Sequence, residues 1–208
     1  MGRIKPDLAG AFAKRVGGAA YYWKNGVNYV RSLSKGEYTS NTPQQAEVRA
    51  KFTSASQVAA YVKDIAKVGF PQRRRGLTAK NAWHSANKAC FRKTEEGTEI
   101  LFEDFQFSSG SLRPAEVTLA FDNESCVYTA TNSKMPEESG CKSDDLVYLV
   151  LLDTENLFSR LVLIGKRGES GEVKFETSRL WSDSVMAYCF ALSADGKIAS
   201  KTLPVTIA

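Results

Sequence analysis

From about residue 99 onward, apolar and polar positions alternate with a period of two, which is the pattern of half-buried β-strands. Leu146–Leu152 is apolar on both faces, so we expect a central strand that is covered from both sides. Asp195-Gly196 predicts a tight hairpin before the last strand. The predicted strands cover 99–107, 115–121, 125–131, 145–153, 158–164, 172–177, 186–193 and 197–207. Short strands without intervening helices predict an immunoglobulin-like or fibronectin-like antiparallel β-sandwich.

The front of the chain contains a β-hairpin pattern. β-prone residues flank Asn25-Gly26, a pair that favours a two-residue type I′ turn. Alternation places Tyr21 and Trp23 on one face of the first strand and Tyr22 and Lys24 on the other. We expect Tyr21 and Trp23 to pack inward against the helix that follows.

That helix is predicted to begin after Thr42, which forms a capping box with Gln45 and precedes Pro43 at the first helical position. Gly69 is a typical C-terminal stop. A helix of this extent, about 26 residues, is about 39 Å long. Its apolar stripe, rich in small residues, consists of Val48, Phe52, Ala55, Ala59, Val62 and Ala66.

A loop with three consecutive arginines separates this helix from a second one, which Thr78 caps. The apolar side of the second helix consists of Ala79, Ala82, Trp83, Ala86 and Cys90. The fold class predicted for the whole chain is α+β: a small β-hairpin and two helices over 1–92, then the sandwich over 99–208. The polar, glycine-containing stretch 92–99 is the predicted domain boundary.

Charge is divided between the two segments. Residues 1–90 hold sixteen Lys or Arg and four Asp or Glu, a balance of +12, whereas residues 91–208 hold twelve and nineteen, a balance of −7. Such a division is informative about partners rather than about the fold. It favours a basic face for nucleic acid, or attraction between opposite halves of neighbouring molecules.

The chain lacks the motifs of common active sites. His84 is the only histidine and no GxSxG elbow accompanies it, and residues 165–172 lack the spacing of a phosphate loop. The acidic pairs lie in polar loops, and the cysteines form no CxxC pair. We therefore predict no enzyme, no metal and no cofactor, and expect His84 to be a surface or half-buried residue.

Cys126 and Cys189 both fall in predicted strands, 63 residues apart. This spacing resembles that of the intersheet cysteines of immunoglobulin domains. Two buried free thiols in a reducing compartment explain the residues equally simply, so both alternatives stay open.

The apolar run Leu146–Leu152 is too short to cross a bilayer, and the early apolar stretch Leu8–Ala13 is followed at once by Lys14. We therefore expect no membrane association and no secretory signal. The predicted location is the cytoplasm or the inside of a phage particle.

The stretches "GAFAKRVGGAAYYWKNGVNYVRS" and "NTPQQAEVRAKF" resemble the opening of an uncharacterised family of bacterial and prophage proteins. In that family a Trp-Lys-x-Gly hairpin leads to an Arg-Ser and then to a helix start, matched here by Asn41, Thr42, Gln45, Arg49 and Phe52. The rear stretches "SSGSL" and "YCFALSADGKIASKT" are also similar. The resemblance implies a C-terminal immunoglobulin-like sandwich, no established activity, and a virion or mobile-element role by association.

From these features we predict a non-enzymatic structural or assembly protein, a phage-type virion component that docks to another protein or to its own copies. One alternative is a nucleic-acid-binding protein that uses the basic aromatic front segment. Another is an exported surface or glycan-binding sandwich. The candidate contact residues for a protein or nucleic-acid partner are Tyr22, Trp23, Lys24, Arg31, Arg73, Arg74 and Arg75.

Overall fold

The computed structural model describes residues 2–4, 14–16, 18–24, 27–33, 42–74, 76–95, 97–176, 181 and 184–208. The helices within them are α1 (Pro43–Tyr61), α2 (Lys63–Gly69) and α3 (Ala79–Asn87). The strands within them are β1 (Gly2–Ile4), β2 (Lys14–Val16), β3 (Ala19–Lys24), β4 (Val27–Ser32), β5 (Phe91–Lys93), β6 (Thr98–Ile100), β7 (Val117–Asp122), β8 (Val127–Asn132), β9 (Leu146–Asp153), β10 (Ser159–Lys166), β11 (Gly171–Glu176), β12 (Val185–Leu192) and β13 (Leu203–Val205). The α+β class is confirmed.

The rear of the chain forms two antiparallel sheets, in the orders β10-β9-β12-β13 and β11-β8-β7. The apolar run Leu146–Leu152 lies in β9, between β10 and β12, so the predicted central strand is confirmed. Alternate residues of β9 contribute to different cores. Leu149 and Leu151 belong to a core shared with the three-stranded sheet, whereas Val150 and Leu152 belong to a core shared with the helices.

The three helices cover the other face of the four-stranded sheet. Their buried side chains, including the fully buried Trp83, pack in one cluster with Phe105 and Phe107 and with Tyr188 and Phe190 of β12. This core contains residues from both sides of the predicted boundary at 92–99. The division into two domains stays a prediction.

Both helix caps are as predicted. The Thr42 hydroxyl accepts a hydrogen bond from the Gln45 N–H at 3.3 Å, and the Thr78 hydroxyl accepts one from the Asn81 N–H at 3.2 Å. The single long helix, however, is wrong: α1 ends at Tyr61, and α2 runs from Lys63 to Gly69. The Ser159 hydroxyl of β10 donates to the Tyr61 carbonyl at 2.8 Å, an oxygen that a continuous helix would use internally.

The predicted strand at 99–107 is only partly present. After β6 a 3-10 turn covers Phe102–Asp104, and the chain then crosses between the helices and the four-stranded sheet. The Asn87 side chain hydrogen-bonds the N–H and the carbonyl of Gln106, and the Thr202 hydroxyl accepts the N–H of Phe107. We call residues 105–109 the crossing segment. The N–H groups of residues 106–108 donate to side chains and the Ser109 N–H donates to the Gly69 carbonyl at 3.1 Å, so none of these four pairs with a neighbouring strand.

The front hairpin pairs as predicted, with Tyr22 opposite Tyr29 and Trp23 opposite Asn28. The turn Asn25-Gly26 lies outside the described residues. β3 and β4 form a sheet in the order β1-β4-β3-β2. The expectation that Trp23 packs inward against the helix is wrong: its side chain is 46% exposed, because the hairpin takes its neighbours from its own small sheet.

Candidate functional site

A cleft of about 570 Å³ lies between the end of α2 and the start of α3. Its lining includes Gly76, Leu77 and Thr78 of the connecting loop. We call it the basic cleft, because five cationic residues also line it: Lys63, Lys67, Arg73, Arg74 and Lys80.

The loop between the helices positions the two arginines. Gly76 adopts a positive φ of 84°, a conformation that favours glycine, and the Leu77 N–H donates to the Arg74 carbonyl at 2.9 Å. Arg73 Nη1 donates to the carbonyl of Phe70 at 3.0 Å, while both arginine side chains stay exposed. The turn therefore places neighbouring guanidinium groups at the mouth of the cleft.

The electrostatic balance of the basic cleft is strongly positive. Lys67 forms an ion pair with Asp64 at 2.6 Å, and the hydrogen bond from Lys67 holds the pKa of the exposed Asp64 carboxyl below its usual value. Within the described residues, the other four cations of the cleft have no carboxylate within ion-pair distance. Such a site attracts anions.

The aromatic hairpin adjoins the basic cleft. A Cβ added to Gly76 would lie 3.0 Å from the Tyr29 hydroxyl, so β4 touches the cleft loop. The half-buried Tyr22 and Tyr29 rings stack at a centroid distance of 5.3 Å, and Trp23 and Arg31 of the same hairpin are exposed. Cations and aromatic rings are thus neighbours on this side of the molecule.

A second surface lies on the first half of α1. Val48 is 66% exposed and Phe52 is 63% exposed, although the helical periodicity predicts both on the buried stripe. The core includes α1 residues only from Ala55 onward, about three turns after the helix begins at Pro43. We call the depression at this surface, about 240 Å³ in volume, the apolar groove; it is lined by Val48, Lys51, Phe52, Ala55, His84, Lys88 and Phe91.

His84 lies in the apolar groove and is half-buried, as predicted. Its imidazole stacks on the Phe52 ring at a centroid distance of 5.4 Å. Burial, and to a smaller extent the charge of Lys80, lowers the pKa of His84. The face of the imidazole that stacks on Phe52 adds to the ring surface of the groove. Among the described residues, no three His, Cys, Asp or Glu side chains cluster in a way that could hold a metal ion.

The basic cleft brings together two of the candidate contact residues, Arg73 and Arg74. Arg75 lies outside the described residues, and so does the side chain of Lys24 at the end of β3. Sequence reasoning missed Lys63, Lys67 and Lys80. The available signal was the i,i+4 spacing of the first two lysines on one helix face, directly before the arginine loop.

Of the two alternatives for Cys126 and Cys189, the disulfide is not formed. Cys126 lies in the turn between β7 and β8, is exposed, and has a positive φ of 56°. Cys189 is buried in β12, where burial raises the pKa of its thiol to about 12. Both are free thiols. The expectation of two buried thiols is also wrong for Cys126, because the turn extends through residue 126 and β8 begins only at Val127.

None of the helices in the described part of the chain is both long and apolar enough to cross a lipid bilayer. Comparison with protein-family models, curated proteins and solved structures yields no match. The resemblance to an uncharacterised bacterial and prophage family therefore stays a prediction, and the two surfaces have to be interpreted from their own chemistry.

Proposed function

We propose that this chain is a non-enzymatic assembly protein that docks through its apolar groove onto a second copy of itself. The observation that carries this proposal is the exposure of Val48 and Phe52 on α1. Two large apolar side chains beside a groove, more than half exposed, are typical of an interaction surface. The half-buried His84, whose ring stacks on Phe52, lines the same groove.

The charge division between the two halves of the chain supports a second copy as the partner that binds at the apolar groove. Lys51 and Lys88 line the apolar groove, and residues 1–90 carry a balance of +12. Residues 91–208 of another copy carry a balance of −7. Opposite charges orient such an encounter front to back. A front-to-back contact uses two different surfaces, so repeating it produces a ring or a filament.

The rear sheets supply a rigid scaffold for such an assembly. The strand orders β7-β8-β11 and β10-β9-β12-β13 support an immunoglobulin-like sandwich, in which the two sheets share one core. The resemblance to bacterial and prophage proteins supports a virion component, located in the cytoplasm or in a phage particle.

The proposal is tested by light scattering and sedimentation over a range of protein concentrations. We expect concentration-dependent oligomers, which Phe52→Glu converts to monomers. Losing the burial of one Phe side chain costs about 1.5–3 kcal/mol, or about tenfold to a hundredfold in the association constant. Salt near 1 M, where charges are screened within about 3 Å, should also weaken the oligomer.

Gln57→Glu is the matched control, because it adds the same charge at an exposed position of α1 outside the groove. We expect it to oligomerise like the unmodified chain. A monomer at every concentration would reject self-assembly. Equal loss in both variants would show that added charge, rather than the apolar groove, causes the effect.

A further inference from the structure

We propose that the basic cleft is a binding site for single-stranded nucleic acid, with the phosphate backbone in the cleft and bases on the rings of the adjoining hairpin. The basic cleft lies between α2 and the start of α3, whereas the apolar groove lies on the first half of α1 and toward the other end of α3, and the two sites share no lining residue. The inference therefore stands apart from self-assembly.

The charge of the basic cleft is the first observation. Five cationic side chains from α2, the connecting loop and α3 converge on one space of about 570 Å³, and Asp64 neutralises one of them. Cations held this close repel each other and disfavour the folded state unless an anion joins them. A phosphate backbone supplies several negative charges at short spacing, and its binding releases condensed counterions.

The aromatic side chains distinguish nucleic acid from other polyanions. The Tyr22–Tyr29 stack lies against the cleft loop at Gly76, and the exposed Arg31 lies on the same face of the hairpin. A positively charged groove beside aromatic rings is the arrangement that binds single strands, because each base has a face for stacking. An acidic peptide segment or an anionic membrane would satisfy the cations without needing these rings.

The shape of the site favours a single strand over a duplex. Duplex readers insert a helix or a β-ribbon into a groove of the DNA. Here the cations line a recess between two helices, so an extended backbone has to enter the protein. The bases of a single strand can then turn outward onto the rings.

The experiment measures fluorescence anisotropy of a labelled oligothymidylate of about 15 nucleotides with the full chain, from about 50 to 200 mM salt. We expect binding that weakens steeply with salt. Arg73→Ala with Arg74→Ala should weaken it at least tenfold at the lowest salt. Removing two phosphate contacts should also reduce the slope of log K against log salt by about 1.4.

The matched control removes two exposed lysines from the rear of the chain, Lys197→Ala with Lys201→Ala, and should leave the affinity within twofold. Lys80→Gln removes a cation that α3, rather than the loop, contributes to the cleft. It therefore tests the cleft a second time if the double arginine variant fails to fold. Tyr22→Leu should weaken binding about tenfold with an unchanged salt slope, because stacking releases no counterions, whereas Trp23→Ala, on the opposite face of the hairpin, should bind normally.

Three results would overturn the proposal: no binding at about 50 mM salt, equal weakening by the control pair, or equal affinity for a duplex, for polyglutamate or for anionic vesicles. Full binding by Tyr22→Leu would overturn the stacking. Phe52→Glu, which addresses self-assembly, should bind the oligonucleotide normally, so either inference can fail alone.

Discussion

Arg167 and Asp145 form an ion pair in which both side chains are buried, and replacing the arginine should be strongly destabilising. Arg167 is fully buried, and its Nε lies 3.8 Å from Asp145 Oδ2. Arg167 Nη2 also donates to the carbonyl of Arg113, and the Lys142 N–H donates to Asp145 Oδ2 at 3.0 Å. Arg167→Met keeps most of the side-chain volume and removes the charge.

The expected loss of stability comes from the Asp145 carboxylate, which stays buried without its cationic partner. Removing one partner of a buried ion pair costs about 3–5 kcal/mol, because the other charge is left without compensation. The whole domain is expected to be stable by about 5–15 kcal/mol, so the loss is a large fraction of the total. A separation of 3.8 Å is too long for a hydrogen bond, and within the described residues Asp145 Oδ1 has no hydrogen-bond partner. The pair itself therefore stabilises the fold weakly.

Because the Arg167–Asp145 ion pair is long and incompletely hydrogen-bonded, we expect a variant in which both residues are replaced to regain stability. Asp145→Asn removes the stranded charge and keeps an oxygen for the Lys142 N–H. Arg167→Met with Asp145→Asn should regain about 2 kcal/mol relative to the sum of the single losses.

The measurement is urea unfolding followed by the fluorescence of tryptophan, of which Trp83 is fully buried. With a slope of about 2 kcal/mol per molar, the midpoint of Arg167→Met should fall by about 2 M. Lys166→Met makes the same chemical change at the neighbouring exposed position and should shift stability by less than about 0.5 kcal/mol. A loss below about 1 kcal/mol for Arg167→Met, or additive losses in the double variant, would refute the reasoning.

Three further predictions concern other parts of the fold. Gly69→Ala should cost about 1–3 kcal/mol in thermal unfolding, because the new Cβ would lie 1.9 Å from a backbone oxygen of the crossing segment, whereas Gly165→Ala meets nothing within 4 Å. In the native protein Cys126 should react fastest with Ellman's reagent, whereas Cys189, with its pKa near 12, should react only after unfolding. Because the pKa of His84 is lowered in the folded protein, the unfolded chain binds more protons than the folded one as pH falls through 6.5, and acidification destabilises the fold. This destabilisation should be smaller after His84→Gln, which urea midpoints at several pH values will show.

The sequence alone determined the local elements. Thr42 and Thr78 cap their helices as predicted, and strand pairing around Asn25-Gly26 has the predicted register. Burial of Leu146–Leu152 on both faces also followed from composition. These features depend on residues within a few positions of each other, or on the apolar character of one short segment, so no knowledge of the rest of the chain is needed.

Tertiary structure decided which residues of each helix and strand are buried. Helical periodicity places Phe52 and Ala55 on one stripe, yet only Ala55 is buried in the core. At the break after Tyr61, the freed carbonyl accepts a hydrogen bond from Ser159, almost a hundred residues later. Contacts between distant segments carry no periodic signal, so a pattern of apolar residues cannot reveal them.

The candidate sites show the same division. Arg73 and Arg74 could be selected from the sequence because they stand in one loop. Lys63 and Lys80 join them only because α2 and α3 pack side by side and bring residues 17 positions apart to one cleft. Composition determined how much positive charge the front of the chain carries. Helix packing decided where that charge is concentrated.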